Sequence, residues 1–140
     1  GRPVAYAREG DPVSSVAGRV VMAPSGRHLT LRDGRFRLIL DAERNSCRPS
    51  VDVLFESIAR QGGSSAIGCL LTGMGRDGAQ GLLKLREAGA LTIAQDQATS
   101  VIYGMPREAA LLGAAVEILP LDEIAPRLVS LQTSGHGAER

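Results

Sequence analysis

Tryptophan is absent, and the aromatic side chains amount to 3% of the 140 residues: Tyr6, Phe36, Phe55 and Tyr103. Large aromatic stacking surfaces for single-stranded nucleic acid are therefore not expected. The core has to rest on Leu, Val, Ile and Ala. The charges nearly cancel, to a formal +1, which argues against a protein that tracks phosphates, and no nucleic-acid partner is expected. Lys84 is the single lysine against fifteen arginines, a bias read as genome composition rather than chemistry. No apolar run approaches the roughly 18 residues that would cross a bilayer, so no membrane insertion is expected. Cys47 and Cys69 are isolated, without metal-type spacing. That pattern suits a reducing cytoplasm.

What is present is globular: 44% hydrophobic and 22% charged residues. The first forty residues read as β-structure, with short strands over 4–7 and 19–23. A hairpin follows at about 28–40, turning at the Asp33–Gly34 dipeptide. Val51, Leu54, Phe55, Ile58 and Ala59 then share one helical face, with Ser50 as the cap. Beyond residue 65 the pattern alternates. Strands are predicted at 66–72, 91–95 and 116–119, with an extended piece at 101–103. Helices are predicted at 79–88, from Pro106 to about Leu112, and from an Asp122 cap to about Leu131. The alternation predicts a doubly wound α/β fold, its sheet mostly parallel with helices on both faces, plus the antiparallel hairpin. The domain is assigned to 1–132 and a disordered tail to 133–140. Ligand sites in such folds lie at the carboxyl ends of strands, here around 73–78, 95–100 and 103–106.

The turn at 72–78 (TGMGRDG) carries the most information. Gly73, Gly75 and Gly78 fit the G-x-G-x-x-G of a dinucleotide site, with Asp96 where a ribose-binding acid would stand. Against this, Asp77 would put a carboxylate where a pyrophosphate docks. A second reading is a tight turn in which Asp77 caps the next helix. In a third, Asp77 is a catalytic acid that orients a histidine.

Five segments in order support the third reading: residues 23–28 (APSGRH), 48–55 (RPSVDVLF), 70–78 (LLTGMGRDG), 92–95 (TIAQ) and 103–107 (YGMPR). Together they resemble the CheB family of protein-glutamate methylesterases, serine hydrolases on a doubly wound α/β fold. The resemblance implies hydrolysis of glutamyl methyl esters, and deamidation of certain glutamines, on methyl-accepting chemotaxis receptors in the bacterial cytoplasm. It also implies a receiver domain ahead of the catalytic one, and a hydrolysis that requires no metal or cofactor. The family's triad aspartate maps onto Asp77, and the methionine whose backbone helps hold the oxyanion maps onto Met74. His28, Gly73, Gly75, Tyr103 and Met105 are expected to line the site or to support it.

The family's serine sits in an S-T-G-G turn and its histidine follows, both before the first segment matched here. This sequence has no S-T-G-G. The chain is therefore expected to be the C-terminal part of a catalytic domain. It is expected to be inactive or nearly so alone, and to associate with itself where the lost strands would leave edges. Cys47 stands where the family often has histidine. The competing classes are a Rossmann-like module using Gly73, Gly75, Gly78 and Asp96, and a non-catalytic scaffold that docks to receptors.

Overall fold

Asp33 and Gly34 both adopt positive φ, 53° and 72°. That is the pair of conformations a two-residue hairpin turn requires. In a computed structural model describing residues 2–138 (133–138 by backbone alone), they join β3 (His28–Arg32) to β4 (Arg35–Ile39) in antiparallel register, Leu31 opposite Phe36. Two shorter strands come first. β1 (Val4–Tyr6) and β2 (Val20–Met22) pair in parallel, Val4 with Val20. This pair leaves Val4, Tyr6, Val20 and Met22 exposed.

Helix α1 (Val51–Arg60) forms where the spacing predicts it, but its apolar residues divide between two cores, Val51 and Phe55 on one and Leu54 on the other, and its fully buried residues are Asp52 and Ser57. Ser50 is its cap, accepting from the Val53 N–H at 3.5 Å. The helix packs on β3 on one side and on α2 (Ala79–Glu87) on the other. The contact with α2 is close because Gly81 has no side chain. A Cβ there would fall 2.7 Å from the Phe55 Cβ and 3.0 Å from the Asp52 Cα.

The second half is a parallel sheet in the order β5 (Ile67–Leu70), β6 (Leu91–Gln95), β7 (Glu117–Leu119). Helices α2 and α3 (Met105–Leu111) pack on β5 and β6, and α4 (Leu121–Ala138) contacts β6. Leu70, Ala79, Leu82, Ala94, Ala109 and Ala114 form the main core. Gly68 lets α2 settle directly on β5, since a Cβ there would meet Leu82 and Leu85 at 2.7 and 2.9 Å. Each of those leucines, fully buried, contributes roughly 1.5–3 kcal/mol.

The architecture is α/β, with parallel sheets flanked by helices and an antiparallel hairpin, as the alternation predicts. Among the described residues the strands divide into three sheets rather than one. Three local expectations are corrected. Helix α4 begins at Leu121, so Asp122 lies in its first turn instead of capping it. The same helix continues past Leu131 to Ala138, into the span assigned to a tail. The side chains of that span and residues 139 and 140 lie outside the described residues. Finally, α2 is capped by Gly78 at φ 97°, with no side-chain hydrogen bond. The Asp77 carboxylate points elsewhere.

Candidate active site

The Asp77 carboxylate reaches across to the start of α1. Its Oδ2 accepts the Val51 N–H at 2.7 Å. Its Oδ1 accepts the Ser50 hydroxyl at 2.7 Å, the Asn45 amide at 2.9 Å and, at longer range, the Asp52 N–H at 3.4 Å. Unpaired N–H groups and the helix dipole make this end of α1 a natural place for an anion. Asp77 is 5% exposed, yet it faces donors only. Oδ1 is saturated, whereas Oδ2 holds a single hydrogen bond among the described residues and keeps a lone pair open.

Asp52 performs the reciprocal task. It is 2% exposed, and its Oδ1 accepts the Gly81 N–H in the first turn of α2 at 2.6 Å. Its Oδ2 takes the second hydrogen of the Asn45 amide at 2.8 Å. Asn45 and Ser46 have positive φ, 53° and 61°, a conformation that asparagine tolerates better than most residues. Beside this cluster Arg44 is paired through both terminal nitrogens with Glu56. Glu56 foremost, with Asp52 and Asp77 further off, pushes the Arg44 guanidinium up.

His28 is fully buried at 0% exposure. Its Nδ1 accepts the Ser50 N–H at 3.1 Å, so Nε2 carries the proton and donates to the Ala42 carbonyl at 2.9 Å. Both ring nitrogens are thus committed to backbone groups. His28 supports the α1 cap from behind and does not line an open site. The side chain of His136 lies outside the described residues.

Glycines shape the loop around Asp77. Gly73 donates its N–H to the Ile102 carbonyl at 3.1 Å and accepts the Met105 N–H at 2.9 Å. It is bridged to Tyr103. A Cβ on Gly73 would sit 2.5 Å from the Met105 sulfur, and one on Gly104 would sit 2.7 Å from the Gly73 carbonyl oxygen. Tyr103 and Met105, both half-buried, therefore brace the loop through Gly73. Gln95 braces it from below at 1% exposure. Its Oε1 accepts the Thr72 N–H at 2.7 Å, and its Nε2 donates to the Thr99 carbonyl at 2.9 Å. Met74 projects outward, 81% exposed, and its backbone N–H has no hydrogen-bond partner among the described residues. A cavity of about 520 Å³ opens beside this loop, lined by Asn45, Ser46, Gly75, Arg76, Gly104 and Arg107, with Glu108 at its side. Asp77 does not itself line the cavity. Its neighbours Gly75 and Arg76 and its partner Asn45 do.

The dinucleotide reading fails on this geometry. The α2 terminus that a pyrophosphate would need is taken by the Asp52 carboxylate. Asp96 closes a local turn, accepting the Thr99 N–H at 3.0 Å. Burial pushes the thiols of Cys47 and Cys69 up, and Asp77 adds to the effect at Cys47. Neither is an activated nucleophile. The loop serines are also spoken for or remote, Ser100 donating to the Asp96 carbonyl at 2.7 Å.

Sequence reasoning missed Asn45 and Asp52, and it placed Gln95 on the functional edge without its bracing role. Gln95 left a signal, an amide side chain ending an otherwise apolar strand at the carboxyl edge. Asp52 resembled an ordinary first-turn acid, and Asn45 an ordinary loop residue.

Comparison with known proteins identifies the family. The family model for CheB methylesterase matches residues 1–128. A protein-glutamate methylesterase/protein-glutamine glutaminase of Cupriavidus metallidurans is 56% identical over 136 residues, 96% of this chain and 39% of the relative. One from Pseudomonas syringae is 52% identical over 134 residues, 95% of this chain and 39% of the relative. The chain thus spans about two fifths of the curated relatives it matches. The crystal structure of the Thermotoga maritima CheB methylesterase catalytic domain superposes with a TM-score of 0.80 at 34% identity, over 90% of this chain and 68% of that one. With the family model covering most of its length and a solved catalytic domain sharing its fold, the chain belongs to the CheB methylesterase family.

Proposed function

We propose that this chain is the C-terminal part of a chemotaxis protein-glutamate methylesterase domain, and that Asp77 is the acid of its Ser-His-Asp triad. One observation carries the reading. Asp77 is held by four donors at a helix N-terminus, and one lone pair of Oδ2 stays open. A histidine N–H delivered to that lone pair would be fixed in one tautomer, and the imidazolium formed during catalysis would be stabilised.

The serine and histidine would come from outside the 140 residues. Among the described residues the one histidine side chain, His28, has no free nitrogen. The serine attacks the glutamyl ester carbonyl while the histidine takes its proton. The tetrahedral intermediate collapses, and the histidine protonates the departing methoxide to methanol. Water then releases the glutamate from the acyl-enzyme by the same relay. A glutamine side chain would follow this route with ammonia leaving, in keeping with the glutaminase activity in the relatives' names. The unpartnered Met74 N–H is suited to hold the oxyanion.

The substrate would be a methyl-accepting chemotaxis receptor in the cytoplasm, with a receiver domain preceding this one. No helix among the described residues is long and apolar enough to cross a membrane. Arg76 and Arg107 line the cavity beside the loop, which suits a receptor segment carrying further glutamates. The test is methanol release from a methylated receptor, measured with the full reading frame and with residues 1–140 alone. The full protein is expected to be active and the isolated chain to show no release above background. Asp77→Asn in the full protein should lower kcat about 10³–10⁴-fold. Unchanged turnover in that variant would defeat the assignment.

A further inference from the structure

One amide nitrogen, that of Asn45, lies within 2.9 Å of two buried carboxylates. Its two hydrogens go one to each, to Asp52 Oδ2 and to Asp77 Oδ1. Each carboxylate has a further duty, Asp77 on α1 and Asp52 on α2. Without a neutral donor between them, two anions would face each other in a water-poor space, where like charges repel strongly.

The other charged and titratable groups near this point do not replace that donor. Arg44, the nearest cation in sequence to Asn45, is committed to Glu56, and Arg76 and Arg107, which line the cavity with Asn45, pair with neither Asp52 nor Asp77. Glu43 and the Cys47 thiol come from the same loop as Asn45 and bring no positive charge. His28, from β3, reaches the cluster only through the Ser50 N–H, as an acceptor. The loop that presents Asn45 is held in place by the Arg44–Cys47 backbone bridge.

We propose that Asn45 is a positioning residue for catalysis. By donating to Asp52 and Asp77 together, it fixes Oδ1 of Asp77 on its donors and leaves Oδ2 aimed at the histidine. The proposal rests on Asp77 being the triad acid. It also assigns to the 44–47 loop a part in the reaction that goes beyond lining the cavity.

The test uses the protein from its full reading frame and a peptide bearing a glutamyl methyl ester. Rates of methanol release are taken between pH 6 and pH 8 for wild type, Asn45→Asp, Asn45→Ala and Asp77→Asn. The carboxyl introduced by Asn45→Asp is isosteric with the amide. It can donate only when protonated, and then one hydrogen to one carboxylate, while the two flanking carboxylates hold its proton on above the usual value of about 3.9. Relative to wild type, kcat/KM of Asn45→Asp should therefore fall at least tenfold at pH 8 and recover in part as the pH drops to 6, when one of the two hydrogen bonds returns. Asn45→Ala has no group to titrate and should show a reduced ratio that stays level with pH.

A residue that merely stabilised the loop would leave the folded Asn45→Asp enzyme with a level ratio, and that result overturns the proposal. If Asp77→Asn keeps its activity, the triad assignment itself is wrong. If Asp77→Asn is inactive while Asn45→Asp matches wild type at every pH, the triad stands and only the role of Asn45 falls. Should Asn45→Asp be unfolded at pH 8, its folding is followed instead. Its stability deficit must shrink as pH falls from 8 towards 5, because the introduced carboxyl binds its proton more tightly in the folded state. A deficit independent of pH refutes the proposal by this route as well.

Discussion

Asp52 and Asp77 each cap the helix that the other one precedes or begins. Asp77, in the loop before α2, accepts the Val51 N–H at the start of α1, and Asp52, in the first turn of α1, accepts the Gly81 N–H at the start of α2. The exchange ties the site aspartate to the packing of two helices rather than to one loop. Displacing either helix start moves Asp77.

Gly81 tests this coupling because two effects oppose each other there. Alanine in a helix is ordinarily worth about 0.5–1 kcal/mol over glycine. Here the added methyl would lie 2.7 Å from the Phe55 Cβ and 3.0 Å from the Asp52 Cα, neither of which can swing away. Overpacking of this kind costs about 1–3 kcal/mol, so the clash wins. Gly81→Ala is expected to lower the urea midpoint with an unchanged m-value, and to reduce turnover in the full protein. A rise in the midpoint would mean that the two helices can part at no cost.

Asp52 itself separates charge from shape. Asp52→Ala strips the buried Gly81 N–H of its acceptor, a loss of about 1–3 kcal/mol. Asp52→Asn keeps an oxygen for Gly81 but turns an amide, instead of a carboxylate, toward Asn45. Denaturant titrations should rank stability as wild type, then Asp52→Asn, then Asp52→Ala. Equal stability of the two variants would show that the Gly81 bond contributes nothing.

Gln95 makes a prediction about motion. Its side chain holds the Thr72 N–H and the Thr99 carbonyl at once, and so spans the two loops at the carboxyl edge of the sheet. Gln95→Leu fills similar space but leaves both backbone groups unsatisfied, at roughly 1–3 kcal/mol for each. The Thr72 amide should exchange its hydrogen faster in the variant by about tenfold or more, with α1 amides little changed. Unaltered exchange at Thr72 would place the loop's rigidity elsewhere, in the Gly73–Met105 contacts.

Much of this fold is legible in the sequence because its causes are local. Asp33–Gly34 announces the hairpin turn, Ser50 the start of α1, and the spacing of Val51, Leu54, Phe55 and Ile58 the helix itself. The motif singles out Asp77 in the sequence, but not its geometry. A carboxylate just before a helix reads as that helix's own cap. Only the three-dimensional closeness of α1 and α2, which Gly81 permits, sends it across to another helix. The parts played by Asn45 and Asp52 depend on that same long-range closeness, with 32 and 25 residues separating them from Asp77. Periodicity carries no trace of contacts at such separations.

The fastening of α4 predicts a pH dependence of definite sign. Arg127 donates to Glu117 through Nε at 2.9 Å and Nη2 at 2.7 Å, joining α4 to β7. These hydrogen bonds lower the Glu117 carboxyl below its ordinary value of 4.5, against an opposing effect of burial. A carboxyl whose value is depressed in the folded state stabilises that state fully above the unfolded value, and the contribution disappears as the pH falls through the folded one. The pair should thus be intact at pH 7, begin to weaken below about 4.5 and be absent once Glu117 is protonated. Arg127 is shifted upward by the same pair, away from neutrality, so only the acid side can be observed. A double-mutant cycle of Glu117→Gln and Arg127→Met, read by thermal melts, should show a coupling at pH 7 that is smaller at pH 3. Because both side chains are partly solvated, the coupling should also shrink in high salt. A coupling of equal size at both pH values would mean that the two residues meet through packing rather than charge.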